Sequence, residues 1–360
     1  MKTIKNLLLT LLVTLFTITF LSAQTTYTVN SDATNGANFS SLQAAVDSAS
    51  TGDTLLIAAG GYGFTTVNKS IVIIGPGFFY GANPQMGSSA AEVSGMKLDT
   101  NSAGSTIMGL KFNVNTMQGK TFSLWIKNVN TTTNSTSTVT IVRNYLGDGV
   151  SSSLQGVLNI DNSANILFSQ NFINNFDIGN SVSNAIYLKN STNINFHNNI
   201  IRSTKVIIRN VGSSSANFKQ NVLHGLMSNY DLNGNGCSFT NNILYESIGS
   251  VTGAVGTTAN NICTGTTFGT ANGNQQNVNP NIIFAGFPTS NGQNIDQRYQ
   301  LAPGSPAENA AQNGVDDCGA YGGSTPYEPS GFPAGPAIIE LSVPATSSGS
   351  LMINVKARNQ

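Results

Sequence analysis

One asparagine, recurring at a shortening interval, constrains this chain more than any other feature. Six segments align on it: IVRNYL at 141–146, FSQNFI at 168–173, FHNNII at 196–201, FKQNVL at 218–223, FTNNIL at 239–244 and TANNIC at 258–263. The aligned residues are Asn144, Asn171, Asn199, Asn221, Asn242 and Asn261, separated by 27, 28, 22, 21 and 19 positions. Three residues before each stands Ile141, Phe168, Phe196, Phe218, Phe239 or Thr258; two residues after stands Leu146, Ile173, Ile201, Leu223, Leu244 or Cys263. A second set, Asn128, Asn162, Asn190, Asn210 and Asn233, ends short runs of alternating or β-branched apolar residues, usually nine residues earlier. Such self-similarity marks a repeat architecture, in which each unit buries its apolar face only by stacking on its neighbours.

No unit holds a 3.6-residue apolar period long enough for a packed helix, so a helical solenoid is excluded. Two or three short strands per repeat, joined by polar turns, make one coil. Coils pair in parallel about 4.8 Å apart, so equivalent side chains form columns. Inward columns stack Phe, Ile and Leu. Turn columns stack Asn, whose amide both donates and accepts and which tolerates a left-handed backbone. Both Asn columns are therefore expected to be structural.

An open coil exposes unpaired strand edges and needs a cover. SSLQAAVDSAS supplies a short helix, capped by Ser40 or Ser41, with Leu42, Ala45, Val46 and Ala49 on one face. Asp53 then turns the chain into TLLI at 54–57, and SIVII follows at 70–74. At the start, Lys2 and Lys5 precede an apolar run from Leu7 to Leu21, with Leu21-Ser22-Ala23 as a cleavage point. That is the pattern of a secretory signal peptide at 1–23, giving a secreted (extracellular or periplasmic) protein with no membrane span after cleavage. Residues 24–337 are read as one domain and 338–360 as a short C-terminal β tail.

About 47 of the 360 residues are Asn, while charged residues make up 9% and the formal net charge is zero. That balance excludes a basic nucleic-acid-binding face. Cys237, Cys263 and Cys318 are an odd number for a disulfide framework, and Cys237 and Cys263 read as small core residues. His197 and His224 are too few for a zinc site without carboxylates.

NFSSLQAAVDSASTGDTLLIAAGGYGFTTVNKSIVIIGPG resembles the N-terminal cap and first coils of secreted right-handed parallel β-helix proteins, the pectate-lyase-like superfamily. RYQLAPGSPAENAAQNGVDDCGAYGG, 298–323, is similar to the closing segment of bacterial members of Bacteroidetes type, through Leu301, Pro303, Ser305, Pro306, Ala307, Asp317, Gly319, Ala320 and Gly322. The resemblance implies an all-β, right-handed parallel β-helix with a short N-terminal capping helix. It implies little about activity, because this fold hosts lyases, hydrolases, adhesins and inert scaffolds.

Members that cleave acidic polysaccharides do so on an outer sheet face. β-Elimination there needs a base and a cation to neutralise the uronate carboxylate. The residue before the second Asn set is Lys127, Asp161, Lys189, Arg209 and then Leu232. This alignment predicts Lys189 and Arg209 as stacked neighbours, with Asp161 one coil below, as anionic-sugar contacts or base and clamp. A solvated strand end is the alternative. Trp125, the only Trp, is a candidate sugar-stacking residue beside Lys127, or else a core residue. Tyr62, Tyr80 and the insertion 80–92 are candidates for one wall of a groove. Asp148, Asp161, Asp177, Asp231 and Glu246 fall apart, and Asp316-Asp317 reads as part of the closing turn. The leading expectation is a monomeric, non-catalytic scaffold binding a polysaccharide or cell-surface glycan, without cofactor. The alternative is a polysaccharide lyase, for which calcium would serve. Ranks of outward Thr, as an ice-binding face needs, are not expected.

Overall fold

A computed structural model describes residues 24–79, 89–117, 119–130, 137–148, 156–175, 184–204, 206–225, 232–233, 236–246, 251–252, 255–287, 289, 292–333, 337–342 and 354–358. Residues 1–23, expected to be a signal peptide, Tyr80 with most of the insertion after it, Asp177 and Asp231 lie outside these residues.

The coils stack into a parallel β-helix with three sides, a ten-stranded, a nine-stranded and a six-stranded sheet, every pairing within them parallel. A typical coil runs Ala164–Ser169 on the first side, Phe172–Asn175 on the second and Asn184–Lys189 on the third. Period-two alternation explains the interior. Ile141, Phe168, Phe196, Phe218 and Phe239 face inward in register and are fully or almost fully buried. Successive Phe rings lie 4.8, 4.6 and 5.1 Å apart and nearly parallel. Each buried ring contributes roughly 2–3 kcal/mol. Leu146, Ile173, Ile201, Leu223, Leu244 and Cys263 form the matching inward column of the nine-stranded sheet.

The first Asn column lies at the edge between these two sheets. Each Oδ1 from Asn171 to Asn274 accepts the backbone N–H and the Nδ2 of the column Asn one coil earlier, at 2.9–3.2 Å. Each Nδ2 also donates to a strand carbonyl of the preceding coil, as Asn199 does to Phe168. The amides are spent on the coil itself.

Immediately before these Asn stands a column of left-handed residues: Arg143, Gln170, Asn198, Gln220, Asn241 and Asn260, with φ between 53° and 57°. Their side chains reach outward and hold the closing segment between Ala310 and Phe332. Arg143 donates to the Phe332 carbonyl, Gln170 to Thr325 and Pro326, and Asn198 to Ala320 and Gly322. Gln220 donates to Asp317, Asn241 accepts from the Gln312 N–H, and Asn260 donates to Ala310. The closing segment thus runs back along this edge as a strap, against the direction of stacking.

At the other end Ser41 caps the helix Leu42–Ser48, which buries Leu42, Ala45 and Val46. Asp53 is a turn residue, accepting the N–H groups of Thr25 and Ser50. The strand expected at 70–74 is shorter, Val72–Ile74. Cys237, Cys263 and Cys318 are free and buried. Ala337–Ser342 and Asn354–Arg358 pair as an antiparallel hairpin. Among the described residues no helix is long and apolar enough to cross a membrane.

Candidate functional site

The outer face of the six-stranded sheet carries the charged residues singled out in the sequence. One outward column runs Lys97, Trp125, Asn159, Tyr187 and Arg209. The next, two residues along each strand, runs Lys127, Asp161, Lys189 and Val211. Lys127, Asp161 and Lys189 therefore stack as expected, but Arg209 does not follow them. It lies beside Tyr187, diagonal to Lys189. The expected alignment slips by two residues here because the corner after Val211 is made by Gly212 rather than Asn210. Asn162 and Asn190 take φ of 48° and 47°, and Gly212 takes 74°. The backbone requirement persists while the residue meeting it changes.

A hairpin, Asn115–Met117 with Lys120–Phe122, folds over one end of this face. It buries Trp125 to 2% exposure, although the side chain points out of the coil. The exposed stacking surface considered for Trp125 is therefore absent. Its indole N–H donates to Asp161 Oδ2 at 2.9 Å, and the same oxygen accepts from Lys120 Nζ at 2.7 Å. The ammonium groups of Lys120, Lys127 and Lys97 lie 4.7, 5.0 and 5.4 Å from the ring centroid. Cations held over an indole in this way are attracted to its π face. Phe122 packs edge-on at 5.3 Å. Lys97 also pairs with Asp99.

Asp161 is buried, with both contacts on one oxygen and the other enclosed without a partner among the described residues. It holds Trp125 and Lys120 in place and is not open to a ligand. Lys189 and Arg209 are exposed, and neither has an ion-pair partner among the described residues. Five cations, Lys97, Lys120, Lys127, Lys189 and Arg209, thus share this face with two carboxylates, Asp99 and Asp161. In a chain of zero formal charge that is a local positive strip. Lys127 and Lys189, two coils apart, are spaced about 10 Å along it.

Tyr62 does not line a groove: it is buried, and its hydroxyl donates to the Ala58 carbonyl. Among the described residues no group of three or more His, Cys, Asp or Glu could hold a metal ion.

Two features escaped the sequence reading. Ser163, Ser191 and Ser214 form a column beside the second Asn set, the hydroxyl of each accepting an N–H from the preceding coil at 3.1 Å. The Asn-Ser pairs at 162–163 and 190–191 were its only sequence signal. On the nine-stranded sheet, Asn174, Arg202, His224 and Tyr245 form an outward column. His224 Nε2 lies 2.9 Å from Glu246, and Nδ1 contacts the Tyr299 hydroxyl. Burial depresses the imidazole pKa, opposed by Glu246. Phe284, Phe287 and Tyr299, from the chain that leads into the strap, cover this group, so it packs that stretch rather than meeting solvent.

No protein-family model and no curated protein matches the sequence. Among solved structures, the crystal structure of pectate lyase Pel9A aligns at 13% identity with a TM-score of 0.39. The alignment covers 83% of this chain and 96% of that one. The parallel register of the three sheets establishes, from this chain's own backbone, that it is a parallel β-helix.

Proposed function

We propose that this protein is exported and binds an anionic, uronate-containing polysaccharide or cell-surface glycan along the outer face of the six-stranded sheet, as a monomer and without catalysing its cleavage. The observation that carries the reading is the positive strip, with Lys189 and Arg209 exposed and half-buried Lys127 beside them. Cations spaced along a rigid face suit a polymer with a carboxylate on successive rings. Export rests on the charged, then apolar, residues at the start of the sequence. Against catalysis stands Asp161, whose oxygens are committed to Trp125 and Lys120 or enclosed. The lyase alternative needs Lys189 or Arg209 as base and calcium as carboxylate clamp.

One experiment separates the readings. Polygalacturonate and a neutral glucan are titrated calorimetrically into the mature protein at low and high salt. Ultraviolet absorbance of unsaturated product is followed in parallel, with and without calcium. The expected result is binding of the polyanion alone, weakened by salt and reduced roughly tenfold or more in Lys189→Ala/Arg209→Ala, with flat absorbance. Absence of binding to any polyanion refutes the proposal. Rising absorbance that the double variant abolishes replaces it with the lyase.

A further inference from the structure

Early in its course the strap turns on itself while still tied to the coil, where Asn241 accepts the Gln312 N–H. Between Ala311 and Asp316 it forms a turn, closed by Ala311 N–H to Asp316 O and by Asn313, whose side chain accepts the N–H groups of Val315 and Asp316. Under this turn is a cleft of about 350 Å³. Its floor is Lys219, Gln220 and Asn241; its opposite wall is the turn, with Gln312 and Asp316, and Ser324 stands at the side. It lies on the edge between the ten- and nine-stranded sheets, across the coil from the positive strip.

Every lining side chain is polar, and several have atoms to spare. Gln220 uses Nε2 to hold the strap, and Asn241 uses Oδ1. Gln220 Oε1 and Asn241 Nδ2 have no partner among the described residues, although both residues are about 95% buried and border the cleft. Asp316 spends one oxygen on Asn313. The Lys219 ammonium and the Gln312 amide have no partner among the described residues and are exposed. One ammonium and one carboxylate cancel, so the cleft does not select for charge. With no apolar or aromatic wall, it suits a ligand that is polar all round. Amides present a donor and an acceptor side by side, which matches neighbouring hydroxyls on one ring. The volume is at the small end for ligand sites and suits one ring.

We propose that this cleft binds a single unit of a neutral saccharide, independently of the anionic-glycan face. The binding is hydrogen-bonded only, so dissociation constants of about 1 mM are expected.

The test is ligand-observed saturation-transfer NMR on the whole mature protein. The probes are glucose, galactose, mannose, xylose, arabinose and galacturonic acid. Lys219→Ala/Gln312→Ala removes two exposed groups that hold nothing, so its melting temperature should match the parent. The expected result is transfer to at least one neutral sugar, weakened at least tenfold in that variant and unchanged in Lys189→Ala/Arg209→Ala. Transfer to no neutral sugar overturns the proposal, and so does a neutral-sugar signal that Lys219→Ala/Gln312→Ala leaves intact. Loss of polygalacturonate binding in the other double variant bears only on the strip, so the two proposals fail separately.

Discussion

Asn199→Ala tests whether the first Asn column is held by its amides or merely occupies a corner. Asn199 is fully buried. Its Oδ1 accepts Asn171 N–H at 2.9 Å and Asn171 Nδ2 at 3.0 Å, and its Nδ2 donates to Phe168 O, His197 O and Asn221 Oδ1 at 3.0–3.1 Å. Alanine strips the buried Asn171 N–H of its partner, at about 1–3 kcal/mol, and removes four further hydrogen bonds worth about 0.5 kcal/mol or more each. A loss of about 4 kcal/mol follows. At roughly 2 cal/mol/K per residue over roughly 310 residues, that lowers the melting temperature by about 6 °C. The control is Asn217→Ala, an exposed amide bonded among the described residues only to Asn195, at 3.1 Å, and expected within about 0.5 kcal/mol of the parent. Both variants are followed by circular dichroism at one scan rate. Equal shifts in the two, or a shift below about 2 °C in Asn199→Ala, would refute the reasoning.

Asp296 is buried, and burial pushes its carboxyl up to about 6 despite donated hydrogen bonds from Ser330 and Gln297 N–H and the Tyr327 hydroxyl. The folded state therefore holds the proton more tightly than the unfolded chain, whose Asp titrates near 3.8. Stability from this group is complete below 3.8 and is lost as pH rises to about 6. Asp296→Asn should remove about 3 kcal/mol of that decline, read as a flatter melting temperature between acidic and neutral pH. Asp161→Ala leaves Lys120 and the Trp125 indole without their shared acceptor. A loss of about 2 kcal/mol, discounted for the partly exposed lysine, should accompany greater acrylamide quenching of the single Trp. Burial pushes the Cys237 thiol up to about 11 and those of Cys263 and Cys318 up to about 12. A thiol reagent at mildly alkaline pH should label none of the three in the native protein and all of them in denaturant.

The coil was legible because its inward columns keep one residue type. Phe168, Phe196, Phe218 and Phe239 recur beside a buried Asn whose amide both accepts from and donates to the preceding coil. The second Asn set was only partly legible, because its requirement is a left-handed backbone, which Gly212 meets as well as Asn190 does. That single substitution displaced Arg209 from its expected place beside Lys189. Trp125 points outward, as alternation predicts, yet burial depends on a hairpin at 115–122 that no periodicity announced. The strap's holders were visible as letters but not as a column. Arg143, Gln170, Asn198, Gln220, Asn241 and Asn260 share a backbone conformation and a task, while their side chains differ in length and charge.

The strap also sets an order of events for the newly made chain. Neighbouring coils join residues 13–28 apart in the first Asn column, so stacking can proceed while later residues are still arriving. The strap joins residues 50 apart at Asn260 and 189 apart at Arg143. Closing loops of that length costs more entropy and slows assembly. The edge therefore stays unlatched until the last stretch has arrived. A chain threaded outward from its N-terminus would complete its coils first and fasten them last.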